Sequence, residues 1–159
     1  MRTCETSVYG DLGPSWRRTA LAAGLIAFVG PASAGVAPAD DFAAVGGKYR
    51  SVKALAVVDQ GAEVTVSVSA GDRAHAALLY DPSAFSDQGL YSLADGRSAV
   101  TFQSCSKGES PYGVEGPTQF NGGLIVDGPR CLTLDVLASR EPSLQLVVSL
   151  GAGPCGGSH

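Results

Sequence analysis

Two short runs around a long loop decide the fold: Ala99-Val-Thr-Phe-Gln-Ser-Cys105 and Leu124-Ile-Val-Asp-Gly-Pro-Arg-Cys131-Leu-Thr-Leu-Asp-Val136. Apolar residues recur at every second position in the first run and after the cysteine in the second, which is typical of a strand with one buried face. Each run carries one cysteine. Between the runs lies a glycine- and proline-rich loop, 106–123. The sequence therefore predicts two strands that flank the longest break in the second half of the chain.

The rest of the chain also predicts β-structure. Short apolar or alternating runs recur at 52–59, 63–69, 74–80 and 143–150, and turn residues separate them, since the chain has 21 Gly and 9 Pro. The first three runs read as a meander of consecutive hairpins. We predict an all-β, antiparallel β-sandwich, Ig-like or jelly-roll-like, of about seven or eight short strands.

Length and charge limit the function. A chain of 159 residues suits one domain, and 16% charged residues leave enough apolar sequence for a packed core. The net charge is −4, and no basic cluster interleaved with aromatic residues is present in the sequence. These features exclude a nucleic-acid-binding function.

The first 34 residues have the layout of a secretory signal peptide. Arg17 and Arg18 precede an uncharged stretch from Thr19 to Ala34, which ends in Ala-Ser-Ala before Gly35. Small residues at these positions favour cleavage between Ala34 and Gly35. The alternative is an uncleaved anchor, in which this stretch alone contacts the membrane, although it is shorter than the roughly 20 residues that span a bilayer.

The predicted organisation is a signal peptide at 1–34, a flexible arm at 35–47 and a β-sandwich at 48–159. The predicted location is secreted or extracytoplasmic, with membrane anchoring as the alternative if the N-terminal stretch is kept.

The cysteines predict one disulfide in the exported chain. Cys4 lies in the segment predicted to be removed, and the compartment favours oxidation of the others. Cys105 and Cys131 both fall on the non-core side of their strands, so we favour a Cys105–Cys131 bond. The alternative is Cys131–Cys155, because the last hairpin returns towards Cys131. The remaining thiol would join two chains, for example through Cys155, or pair with Cys4 if the N-terminal segment is kept.

The sequence contains no pattern that predicts catalysis. Neither a Gly-x-Ser-x-Gly elbow nor a metal-ligand spacing is present, and His75, in a predicted strand, is expected to be structural. Acidic loop residues such as Asp81 and Asp87 leave a carboxylate-dependent hydrolase as the less favoured alternative. We expect no enzymatic activity, no cofactor and no metal.

The loop 106–123 is the candidate recognition site, because long loops without regular structure are often functional. Its candidate side chains are aromatic, amide or acidic: Tyr112, Glu115, Gln119, Phe120 and Asn121. The alternative is that Tyr112 and Phe120 only plug the open end of the sandwich.

One pattern indicates a family. Val100-Thr-Phe-x-x-Cys105 followed by Thr118-Gln-Phe-x-Gly-Gly-Leu-x-Val-x-Gly-Pro-x-Cys131 resembles small uncharacterised exported proteins of high-GC Gram-positive bacteria. The resemblance implies an exported location and no particular activity. We therefore expect an exported, disulfide-stapled β-sandwich that binds an unknown protein or glycan at the cell envelope. The alternative is the extracytoplasmic domain of a single-span membrane protein.

Overall fold

Thirteen short strands form two layers around a shared core in this computed structural model, which describes residues 1–156. The strands are β1 (Leu21–Ala23), β2 (Ile26–Val29), β3 (Tyr49–Arg50), β4 (Val52–Lys53), β5 (Leu55–Val58), β6 (Glu63–Val68), β7 (Ala76–Leu79), β8 (Leu90–Tyr91), β9 (Ala99–Gln103), β10 (Thr118–Phe120), β11 (Gly123–Val126), β12 (Arg130–Ala138) and β13 (Leu144–Leu150). Short 3-10 helices lie between them at Cys4–Thr6, Trp16–Arg18, Pro31–Val36, Ala39–Phe42, Ala70–Asp72, Pro82–Ala84 and Leu93–Asp95.

The first layer is an antiparallel sheet with the strand order β13-β12-β6-β9. Burial alternates along β6, where Val64, Val66 and Val68 face the core and the intervening polar side chains face outward. The same alternation holds in β12. The predicted alternating strands of this layer are confirmed.

The second layer consists of two short sheets, β1-β2-β5-β10 and β4-β11-β7. They are joined because β4 runs almost directly into β5 and β10 into β11, and Ala54 N donates to Gly122 O across the break, at 3.0 Å. The two-stranded β3-β8 ribbon adds a small second cluster, in which Tyr91 packs with Leu79 and Ile125. This cover explains why β7 and β11 are buried along their whole length. The structure confirms the predicted all-β sandwich, with thirteen short strands among residues 1–156 where the sequence predicted seven or eight.

The predicted meander of hairpins is wrong. β5 pairs with β2 and β10, β6 pairs with β9 and β12, and β7 pairs with β11. The intervening turns therefore carry the chain from one layer to the other. The physical reason is burial: β5 and β7 are mainly apolar and covered on both faces, whereas β6 has a polar face that suits the open side of the first layer.

The segment predicted to be a signal peptide contributes two strands to the second layer. β2 lies between β1 and β5, with Phe28 opposite Ala56, and both Ile26 and Phe28 are 1% exposed. The sheet thus includes residues well before the predicted boundary at residue 48. Cleavage after Ala34 would remove an inner strand, and the signal peptide stays a prediction of the sequence.

The segment predicted to be a flexible arm, 35–47, is attached to the last strand. Phe42 is 3% exposed and packs against Gly151, where any side chain would overlap its ring. Two backbone hydrogen bonds lie where the arm begins: Gly151 N donates to Ala34 O, just before the arm, at 2.8 Å, and Gly153 N donates to Gly35 O at 2.9 Å. The arm is therefore held in place at Gly35 and at Phe42.

Candidate functional site: the flap and the N-terminal segment

The flap, residues 106–117, connects β9 to β10 at one end of the sandwich. Its base is fixed by Cys105, whose backbone N donates to the Thr118 hydroxyl at 2.8 Å. Further out, Gly116 N donates to Gln60 Oε1 at 3.0 Å, which ties the flap to the turn before β6. The flap has few regular backbone hydrogen bonds of its own and takes its position from these contacts.

The disulfides differ from the favoured prediction. Cys105 is bonded to Cys4, with a Cα–Cα distance of 4.7 Å, and Cys131 is bonded to Cys155, with a Cα–Cα distance of 5.7 Å. The predicted Cys105–Cys131 bond is therefore not formed. Its alternative, Cys131–Cys155, is formed, and Cys4 takes the role of partner to the remaining thiol.

Strand direction explains why the favoured pair fails. β9 and β12 both pair antiparallel with β6, so they run parallel to each other. Cys105 follows the end of β9, whereas Cys131 lies at the start of β12, so the two cysteines sit at opposite ends of the sheet. The predicted position of both cysteines on the same face therefore does not bring their sulfurs together. Because Cys155 is bonded within the chain, it has no free thiol to form the predicted bond between two chains.

The N-terminal segment, residues 1–10, runs alongside the flap and β10. Val8 N donates to Gln119 O at 2.9 Å, and the Gln119 side chain donates to Gly10 O at 2.8 Å. The Tyr112 hydroxyl donates to Ser7 O at 2.8 Å. Together with the Cys4–Cys105 bond, these contacts make the segment and the flap one surface.

Arg2 fixes the start of this segment against the core. Its side chain is buried and donates to the carbonyl oxygens of Tyr80 at 2.7 Å and Asn121 at 3.1 Å, and to Thr6 O. The guanidinium also lies over the Phe120 ring, 5.4 Å from its centroid. Desolvation lowers the pKa of Arg2, while the nearby Asp81 carboxylate acts in the opposite direction.

The five predicted recognition residues separate into three groups. Tyr112 and Glu115 are exposed on the flap. Gln119 and Phe120 are buried in β10, and Phe120, 0% exposed, packs against Phe102 at a centroid distance of 5.3 Å. Asn121 accepts hydrogen bonds from Arg2 through its backbone and side-chain oxygens. The plug interpretation therefore describes Phe120 and not Tyr112.

Tyr9 is the site residue that the sequence reasoning missed. It lies against Tyr112, with ring centroids 6.0 Å apart and an angle of 29° between the planes, and the two residues are 56% and 49% exposed. Tyr9 belongs to the segment predicted to be removed, so no feature of the sequence connected it with the flap. The result is an exposed aromatic pair, Tyr9–Tyr112, on a surface tied down by a disulfide and several hydrogen bonds.

The space beneath the aromatic pair is small. The cleft lined by Gln60, Ser106, Ser110 and the two tyrosines holds a cavity of about 20 Å³. That is room for about one water molecule, whereas small-molecule sites usually measure roughly 300–1,000 Å³. A ligand of this site would have to lie on the surface.

A charged network lies at the opposite end of the sandwich. His75 Nδ1 is 2.8 Å from Asp127 Oδ2, and Arg130 Nη2 is 2.7 Å from Asp72 Oδ1. These contacts join the loop between β6 and β7 to the turn between β11 and β12. Asp72 also accepts from Thr133 N at 2.9 Å, and within residues 1–156 no group of three or more His, Cys, Asp or Glu is placed to hold a metal ion.

Comparisons with family models, with curated proteins and with solved structures gave no match. No helix among the residues that the structure describes is long and apolar enough to cross a membrane.

Proposed function

We propose that the chain is a non-catalytic binding domain that works outside the cytoplasm, and that the flap and the N-terminal segment form its recognition surface. The single observation that carries the proposal is the exposed Tyr9–Tyr112 pair on a surface held in place by covalent and hydrogen bonds. Rings that are already fixed lose little conformational freedom when a ligand binds, and this favours affinity.

The extracytoplasmic location is supported by the two disulfides. All four cysteines are paired in a small all-β domain. Structural disulfides form and persist in oxidising compartments, and they are rare in the cytosol. The resemblance to exported proteins points to the same location.

The proposal that the domain is non-catalytic is supported by the contacts of the three groups whose pKa values are shifted. Arg2, Tyr80 and Asp81 line a shared groove of about 280 Å³, which is the kind of arrangement that can mark an active site. However, the Tyr80 hydroxyl donates to Ala54 O inside the core, and Arg2 is occupied by carbonyl oxygens. Asp81 accepts hydrogen bonds from Ser83, which hold the pKa of its carboxyl below its usual range. Each group therefore has a structural task.

The test measures retention of the full chain on washed cell walls of a high-GC Gram-positive bacterium, the group that the resemblance indicates. We expect Tyr112→Ala to weaken retention at least fivefold, since truncating an aromatic residue that anchors a binding surface costs more than about 1 kcal/mol. The matched control is Phe85→Ala, an exposed aromatic in the loop between β7 and β8, which should leave retention unchanged. Equal retention of wild type and Tyr112→Ala would contradict the proposal.

A further inference from the structure

We infer that the ligand of the Tyr9–Tyr112 surface is a neutral polysaccharide, whose sugar rings stack on the two aromatic rings. This inference rests on the proposed function, because it names the ligand class of the same surface.

The aromatic pair offers the contact that sugar rings require. The face of an aromatic ring carries partial negative charge, and the C–H groups on one face of a sugar ring carry partial positive charge, so the two stack favourably. About half of Tyr9 and of Tyr112 is open to solvent, and the two rings stack with 29° between their planes, so each ring keeps part of its surface open to a sugar. The hydrogen bond from Tyr112 to Ser7 O holds one ring in place before the ligand arrives.

The side chains around the pair suit sugar hydroxyl groups. Gln60, Ser106 and Ser110 line the same cleft and bring an amide and two hydroxyls, all uncharged. Gln60 accepts from Gly116 N through its oxygen, and its amide nitrogen has no hydrogen-bond partner among residues 1–156. An uncharged mixture of donors and acceptors beside an aromatic surface matches a ligand that is rich in hydroxyls and carries no charge.

The size of the cleft favours a polymer over a small molecule. A cavity of about 20 Å³ cannot enclose a sugar, so affinity must come from contact along an exposed surface. A polysaccharide can extend across both rings and beyond them. A monosaccharide would use only one ring, and we expect it to bind weakly.

Charge argues against anionic polymers. Single-stranded nucleic acid also stacks on aromatic side chains, but it needs a positively charged groove along its backbone. The flap carries Lys107 against Glu109 and Glu115, and the whole chain has a net charge of −4. Nucleic acid and acidic glycans are therefore disfavoured at this surface.

The extent of the apolar surface argues against a protein partner. Stable protein interfaces bury about 800 Å² on each side around a cluster of apolar anchors. Apart from the two tyrosines, the exposed large apolar side chains among residues 1–156 lie outside the flap and its cleft: Met1, Val36, Val45, Phe85, Leu137, Leu144 and Val147. Two rings in polar surroundings fit a sugar chain better than a protein surface.

The experiment titrates the full chain with a panel of soluble neutral oligosaccharides of at least four sugars, derived from glucan, mannan, galactan and chitin, and records backbone amide NMR shifts. We expect at least one member to shift the amides of residues 7–12 and 106–117. Tyr9→Ala and Tyr112→Ala should each weaken its binding at least fivefold. Tyr112→Phe keeps the ring and loses only the bond to Ser7, so it should bind within about threefold of wild type, as should Phe85→Ala. The amide spectra of Tyr9→Ala and Tyr112→Ala, compared with the wild-type spectrum, show whether a loss comes from unfolding.

A second arm separates failure of this inference from failure of the proposed function. Washed cell walls are treated either with periodate, which opens sugar rings that carry two neighbouring free hydroxyl groups, or with a protease. Loss of Tyr112-dependent retention after periodate alone supports the inference. Loss after protease alone, or absence of binding to every neutral oligosaccharide, overturns it, although the flap would still be a binding surface. Retention that never depends on Tyr112 overturns the proposed function as well.

Discussion

Tyr80 is expected to make the stability of the fold decrease at alkaline pH. Its ring packs edge-on against Phe102, with the centroids 5.0 Å apart, and its hydroxyl donates to Ala54 O at 2.7 Å. Burial raises the pKa of this hydroxyl, because the charged form would lose its hydration. The unfolded chain ionises Tyr80 near pH 10, whereas the folded chain keeps the proton.

We therefore expect stability to be fully present below about pH 10 and to fall above it, by up to ~1.4 kcal/mol per pH unit. Tyr80→Phe should remove this dependence. The same variant should cost roughly 1–3 kcal/mol at neutral pH, since Ala54 O loses its donor. Urea midpoints measured below and above pH ~10 check both effects. Tyr112→Phe, at an exposed tyrosine, is the control that should keep the wild-type slope, and parallel profiles for wild type and Tyr80→Phe would contradict the expectation.

Arg2 shows why part of the site could not be predicted from the sequence. A buried guanidinium is costly unless its donors are satisfied, and here the carbonyl oxygens of Thr6, Tyr80 and Asn121 accept from it, the last two from distant parts of the chain. Backbone carbonyls belong to every residue, so they leave no pattern in the sequence. Tyr112, by contrast, is an aromatic residue on a long polar loop, and that contrast made it a candidate recognition residue in the sequence.

At the scale of elements, the alternation of apolar and polar residues predicted the strands that have one polar face. β6, β9 and β12 follow their patterns closely because each has one side in the core and one in water. β10 was assigned to the loop, since three residues are too short for a period to show. Alternation also reveals which face a residue occupies but not which end of the sheet, and for this reason it paired Cys105 with Cys131.

The sequence and the structure lead to opposite interpretations of β2. An apolar run after two arginines suits a signal peptide, yet the same apolar side chains suit an inner strand, because both export and folding select for hydrophobicity. In the structure β2 contributes Ile26 and Phe28 to the core. The contribution of β2 to stability therefore decides between the two interpretations.

We expect Phe28→Ala to lower the free energy of unfolding by roughly 3–5 kcal/mol, the usual cost of removing a buried phenylalanine side chain. Val36→Ala, at a residue 88% exposed, should change it by less than about 0.5 kcal/mol. Urea unfolding of the purified full chain gives both values. A chain that starts at Gly35 and unfolds with the full-length midpoint would show that β2 is dispensable and would favour the signal peptide.

At the scale of the whole molecule, the two disulfides hold the two ends of the described chain. Cys4–Cys105 ties the N-terminal segment to the base of the flap, and Cys131–Cys155 ties the segment after β13 back to the start of β12. The first joins residues 101 apart in sequence and the second residues 24 apart. Each bond restricts the unfolded chain, and the restriction grows with the logarithm of the loop length.

The longer loop should therefore be the more stabilising one. Loop entropy gives about 4.7 kcal/mol for a loop of this length near 100 residues and roughly 3.5 kcal/mol for the shorter loop. We expect the double variant Cys4→Ala/Cys105→Ala to lose more stability than Cys131→Ala/Cys155→Ala, and it should also weaken retention on cell walls, because the flap loses its link to Tyr9. The second double variant is the matched control, since it removes a disulfide at the opposite end of the sandwich and should leave retention intact. Equal loss of retention in both would mean that overall stability, rather than the fixed position of the aromatic pair, governs binding.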